Sequence, residues 1–95
     1  MERITLAHLQ AIVDRINRET GAPMEPYTIG ADGKHHANIG NYHISRAYGG
    51  TCLHRMVNDG GGVSDVFGCG HVPARDLANR MHAYLAGIDQ ERRHG

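Results

Sequence analysis

A two-glycine pair, Gly49-Gly50, and a three-glycine run, Gly60-Gly61-Gly62, cut the middle of the chain into strand-length pieces. Glycine reaches the positive-φ conformations that tight reversals need, so such clusters place turns between short strands. A helix-period pattern lies on either side of them. A chain of 95 residues supports one modest core without obligatory metal or disulfide staples. The layout therefore predicts a single α+β domain over residues 1–88, α-β-β-β(-β)-α, with two helices packed on one face of an antiparallel sheet. A flexible polar C-terminal tail is expected over 89–95.

The first helix is expected near residues 5–20. Thr5 supplies an N-cap, Leu9, Ile12, Val13 and Ile16 recur on one stripe, and Gly21 with Pro23 and Pro26 ends the helix. Tyr27 to Ile29 reads as a short strand, followed by a turn-rich segment from Gly30 to Gly40. Further strands are expected at Asn41–Ala47, Cys52–Val57 and Val63–Phe67, the first two joined by a Gly49-Gly50 turn. The closing helix is expected over 73–87, starting at Pro73, carrying Leu77, Met81, Tyr84, Leu85 and Ile88, and stopping at Gly87.

Residues opposite each other across strands share a face, so register can be tested by side-chain chemistry. Centring the last hairpin on Gly60 sets Val57 against Val63, Arg55 against Asp65 and Leu53 against Phe67. A shift of one residue brings Cys52 opposite Cys69 but sets Arg55 against Val66. The first register is preferred. It assigns Tyr42, Ile44, Leu53, Val57, Val63 and Phe67 to the core face, with Arg55 and Asp65 as a partly buried pair. The other face, carrying His43, Ser45, Ala47, Cys52, His54, Met56, Ser64 and Val66, is expected to lie bare.

Composition excludes more than it identifies. Formal net charge is zero, which argues against a generic nucleic-acid binder. Nine of the ten basic residues are Arg, with Lys34 the only lysine. No apolar run is long enough to span a membrane and no signal-peptide pattern opens the chain, so a cytoplasmic protein is expected. Two cysteines do not make a disulfide framework. The eight histidines should raise net charge between pH 7 and about 5.5.

Catalytic chemistry finds little support. Cys52-Leu53-His54 and Cys69-Gly70-His71 are two Cys-x-His pairs, and Cys52, His54, Cys69 and His71 are the sharpest candidates for a tetrahedral zinc site. Zinc modules normally separate paired ligands by more residues. The protein is therefore expected to fold without a metal or cofactor and to keep both thiols free. No carboxylate is placed to orient a Cys–His dyad, and the triple glycine lacks the Lys-Ser/Thr of a phosphate loop. The candidate binding residues are His43, His54 and Met56 on the bare face, Tyr48 beside the turn, and Arg75 at the start of the last helix.

The order of elements, with Pro26-Tyr27 after the first helix and His35-His36 in a loop, resembles that of double-stranded-RNA-binding domains. In that family a lysine-rich turn at the last helix grips phosphates. Here the stretch reads Arg75-Asp76-Leu77-Ala78-Asn79, where Asp76 reverses one charge and Asn79 removes another. The resemblance implies topology more than RNA binding, and only weak binding of generic duplexes is expected. A second resemblance rests on Gly40 to Gly50, Val57 to Val63 and Gly70 to Leu77, which together look like short phage and prophage proteins of unassigned function. It implies a bacterial host cytoplasm and a small accessory role. The favoured expectation is a non-enzymatic protein that binds a host or phage macromolecule, with a homodimer as a further possibility. A nucleic-acid-binding domain and a Cys/His zinc module are the alternatives.

Overall fold

The structure, a computed structural model, describes residues 4–94. The elements in order are α1 (Leu6–Thr20), β1 (Tyr27–Ile29), β2 (His35–Ala37), β3 (Tyr42–Ala47), β4 (Gly50–Met56), β5 (Val63–Asp65) and α2 (Ala74–His94). The fold is α+β. Where one sheet was expected there are two: a β1-β2 ribbon, and a three-stranded antiparallel sheet of order β3-β4-β5. The segment read as a turn-rich loop holds strand β2, whose His35-His36-Ala37 pairs back on Tyr27-Thr28-Ile29.

Helix α1 forms as its residues require. The Thr5 hydroxyl accepts the His8 N–H at 3.1 Å, and Gly21 closes the helix at φ 71° with its N–H on the Arg18 carbonyl. Leu9, Ile12, Val13 and Ile16 from α1 meet Leu77, Ala78, Met81 and Leu85 from α2 over Tyr42 and Leu53. Since Tyr42 and Leu53 project from the same side of β3 and β4, both helices cover one face of the sheet. Burying each aliphatic side chain of this kind stabilises the fold by about 1.5–3 kcal/mol.

One buried polar group sits among them. Asn17 is 1% exposed. Its side-chain amide donates to the Tyr42 carbonyl at 3.0 Å, and its carbonyl accepts the Tyr42 N–H at 2.9 Å. Strand β3 is at the sheet edge, so Asn17 serves the backbone of Tyr42 as a neighbouring strand would.

Helix α2 overturns the expected stop. It continues through Gly87 to His94, so the stretch from Asp89 to His94 is helical rather than an irregular tail; Gly95 and the first three residues lie outside the described region. One interior glycine costs a helix only about 1 kcal/mol relative to Ala. Gln90, Glu91 and Arg92 are good helix formers, and the Arg92 guanidinium holds the Glu19 carboxylate and main-chain carbonyl at the end of α1.

Both hairpin registers differ from expectation. Ala47 pairs with Gly50, so the turn dipeptide is Tyr48-Gly49 rather than Gly49-Gly50. Gly50 answers a packing need instead: a Cβ there would come within 3.0–3.1 Å of the backbone of His71 and Val72. In the second hairpin Met56 pairs with Val63, Arg55 with Ser64 and His54 with Asp65. This one-residue offset moves Val63 and Asp65 off the helix-covered face and puts Ser64 on it. Loop chemistry decides the register. The Asn58 side-chain carbonyl accepts the N–H groups of Gly60 and Gly62, and Val57 N–H bonds the Gly62 carbonyl, closing the loop one residue earlier than the apolar pairing suggested.

The expected Arg55–Asp65 pair does not form. Arg55 lies over the Tyr42 ring at 4.9 Å from its centroid and reaches the Gly40 carbonyl at 3.3 Å. The Tyr42 hydroxyl meets that of Tyr84 at 2.7 Å, and burial, reinforced by this bond, pushes the Tyr42 phenol up to about 12. No helix among the described residues is long and apolar enough to cross a membrane.

Candidate functional site

The face of the three-stranded sheet away from the helices follows from strand alternation on β3 and β4: His43, Ser45 and Ala47 on one strand, Cys52, His54 and Met56 on the next. It is not bare. Val72 makes an isolated antiparallel bridge to Thr51, with N–H···O contacts of 2.7 and 2.8 Å, while Val66 N–H bonds the Leu53 carbonyl. Two β4 residues only two apart, Thr51 and Leu53, are thus met by chain positions six apart. The residues between them bulge outward and carry His71 onto the sheet, where its Nε2 lies 3.0 Å from the Ser45 hydroxyl.

Asp65 holds the bulge in shape. One carboxylate oxygen accepts the N–H groups of Phe67 and Gly68 at 3.2 and 3.0 Å, and the other accepts that of Gly70 at 2.7 Å. This turn also ends β5 before Phe67, two residues short of the expected strand end. Burial pulls the Asp65 pKa upward, but these backbone bonds and one from the Cys52 thiol outweigh it, so the carboxyl stays below its ordinary range.

The outcome is a row of four rings. His43 meets His54 at a centroid separation of 5.8 Å, His54 meets His71 at 6.0 Å, and His71 meets Tyr48 at 5.8 Å, each edge to face. His43, His54 and His71 are half-buried. Tyr48 is 98% exposed. It is also the one non-glycine residue with positive φ among the described residues, at 55°. With Gly49 at φ 75° it makes a two-residue turn of the type that normally carries Asn, Asp or Gly at its first position. A tyrosine held there costs about 1–2 kcal/mol.

Of the residues expected to bind, His43, His54 and Tyr48 are brought into this row. Met56 is not available: it is 2% exposed, inside the domain on the side expected to be bare. Cys52 is buried as well, and Val66 leaves this face to pack, partly buried, against the helix-side cluster. Arg75 is exposed in the first turn of α2, on a separate element. Asp65 and His71 were not anticipated as parts of this surface, nor was Ser45 as the partner of His71. The β3 alternation contained Ser45, but the bulge that aligns it with His71 depends on a backbone bridge no local pattern announces.

The four zinc candidates do not assemble into a metal centre. Among the described residues, no three of His, Cys, Asp or Glu are placed to hold a metal ion. Cys52 and Cys69 are both free thiols. Burial above all, with the Asp65 carboxylate beside it, pushes the Cys52 thiol up to about 12, which removes it as a nucleophile near neutral pH.

Burial, then the neighbouring His54, holds the His43 pKa below its ordinary value of 6.5. An unfolded chain therefore takes up this proton before the folded one does. Stability contributed by neutral His43 is complete above about pH 6.5 and declines as pH falls from there toward the lower folded-state pKa. The thermal midpoint should drop between about pH 7.5 and 5.5, and His43→Asn should flatten that drop. Equal slopes for the two proteins would remove His43 as the cause.

No protein-family model, curated protein or solved structure matches this chain.

Proposed function

We propose that this chain is a small non-enzymatic binding protein, of the accessory kind suggested by its resemblance to short phage proteins, and that it meets a protein partner through the Tyr48–His71–His54–His43 row. The observation that carries this reading is Tyr48. A large aromatic side chain is displayed almost wholly to solvent on a backbone conformation that favours other residues. Strain of that kind persists where a side chain is used. Tyrosine is a preferred anchor at protein interfaces because it supplies wide contact area at low conformational cost.

The neighbours of Tyr48 favour a protein over a nucleic acid. Its row consists of imidazoles, Asp65 lies across the strands from His54, and Arg46 and Arg55 alternate onto the other face. A phosphate-tracking groove needs fixed positive charge, and formal net charge is zero.

Tyr48→Asn separates use from fold. Asn suits the left-handed turn position, so the variant should be as stable as the parent or more so by about 1 kcal/mol. It should nonetheless lose nuclease-resistant capture of its partner from bacterial lysate, as should His71→Ala, whereas Arg15→Ala on the outer side of α1 should retain it. A Tyr48→Asn protein that captures the same partner equally well would reject the reading. Capture abolished by nuclease would replace it with nucleic-acid binding.

A further inference from the structure

Val66 meets Leu53 and Val72 meets Thr51, so the segment from Phe67 to His71 arches past the single β4 residue between them, Cys52. Cys69 is the middle residue of that arch. Cys52 is buried and Cys69 partly exposed, and both are free thiols.

The Asp65 carboxylate ties the two together. It accepts the Cys52 thiol on one side. On the other it accepts the N–H groups of Gly68 and Gly70, the two residues that flank Cys69. The thiols are near enough for the charge of one to act on the other. Gly68 and Gly70 have positive φ, at 65° and 71°, and a Cβ on either would meet no atom within 4 Å. Cys69 thus stands between two unconfined glycines, whose backbone freedom lets its sulfur turn toward β4. We propose that Cys52 and Cys69 close to a reversible disulfide under oxidation, drawing the bulge onto β4 and pulling His71 off Ser45.

A small disulfide such as oxidised glutathione supplies the oxidant. The Cys69 thiolate attacks one of its sulfurs, and one small thiolate leaves from the mixed disulfide. Cys52 then attacks the Cys69 sulfur and expels the second. The two leaving thiolates take up the protons that the protein thiols give up, and two electrons pass to the small disulfide. A Cys52 thiol pushed up to about 12 is ionised to only about one part in 10⁴ at pH 8. Its attack is intramolecular, however, and effective molarities there reach on the order of 10⁵ M.

The switch does not depend on what the ring row binds. The folded chain is incubated with oxidised glutathione at about pH 8, quenched with acid and read by intact mass and peptide mapping. Wild type should become about 2 Da lighter as a monomer, with the Cys52 and Cys69 peptides joined, and dithiothreitol should reverse the change. Cys52→Ala should stop at a glutathione adduct on Cys69, and Cys69→Ser should stay unmodified. The His71 ring resonances should shift on oxidation of wild type and stay in place for Cys69→Ser. Wild-type thiols that stay reduced, a lasting glutathione adduct on Cys69, or a disulfide joining two chains overturns the proposal. An internal disulfide that leaves the His71 resonances in place overturns its link to the ring row.

Discussion

Replacing Met56 by Asp should remove about 4 kcal/mol or more of the folding stability. Met56 is 2% exposed and occupies the central strand of the three-stranded sheet. The substitution removes a large apolar side chain and buries a carboxylate where a thioether packed. The two effects together reach about 4 kcal/mol or more, against roughly 5–15 kcal/mol for the stability of an ordinary domain. Far-ultraviolet circular dichroism with a urea titration measures the result. Met56→Leu, which nearly conserves volume, should cost less than about 1.5 kcal/mol. A cooperative Met56→Asp transition close to the parental midpoint would show that this side chain lies at a surface after all. His54, its neighbour two positions away on the same face, is half-buried, and His54→Asn should fold.

Asn17→Leu should destabilise the domain by about 2–5 kcal/mol although leucine is the more apolar residue. Asn17 lies on the buried stripe of α1, where the pattern alone would welcome leucine. Its amide, however, satisfies both backbone groups of Tyr42 on an edge strand. Without it a buried N–H and a buried C=O each lose their partner, at about 1–3 kcal/mol apiece, and the apolar gain of leucine offsets only part of that. Chemical denaturation gives the magnitude, and amide hydrogen exchange at Tyr42 gives the location. Rapid exchange at Tyr42 with the rest of the sheet protected is the expected signature. A stability change below about 0.5 kcal/mol, the range of an ordinary surface substitution, would mean that the bidentate bond is not formed in solution.

The two predictions mark what was legible and what was not. α1 could be read to within a residue because its information is local: an N-cap hydroxyl, a stripe at period 3.6 and a left-handed glycine act within a few residues of each other. The faces of β3 and β4 were legible for a similar reason. Moving the turn from Gly49-Gly50 to Tyr48-Gly49 shifts the pairing by two residues, which preserves the alternation. The β4–β5 shift was by one residue, and one residue reverses a face. The side-chain bonds of Asn58 and Asp65 to loop backbone outweighed the apolar pairing of Val57 with Val63 and Leu53 with Phe67.

The ring row divides along the same line. His43 and His54 were assigned to a common face by alternation, and Tyr48 was singled out for its place beside the turn. His71 reached them only through the Thr51–Val72 bridge and the bulge that Asp65 holds. Met56 was placed on the right side of the sheet and still misjudged, since alternation says which way a side chain points and nothing about what lies over it.

The sequence by itself determined the α+β class, the order helix–strands–helix, the α1 boundaries and the sorting of β3 and β4 into two faces. Each rests on periodicity, capping or turn residues acting over short distances. The β5 register turned on Asn58 side-chain bonds within its own loop; tertiary structure alone decided the burial of Met56 and Cys52, the placement of His71 beside Ser45 and the extension of α2 past Gly87. Those outcomes depend on contacts between positions far apart in the chain: Arg92 on Glu19, Asn17 on Tyr42, Val72 on Thr51. They exist only once the chain has closed on itself, so no local pattern carries them.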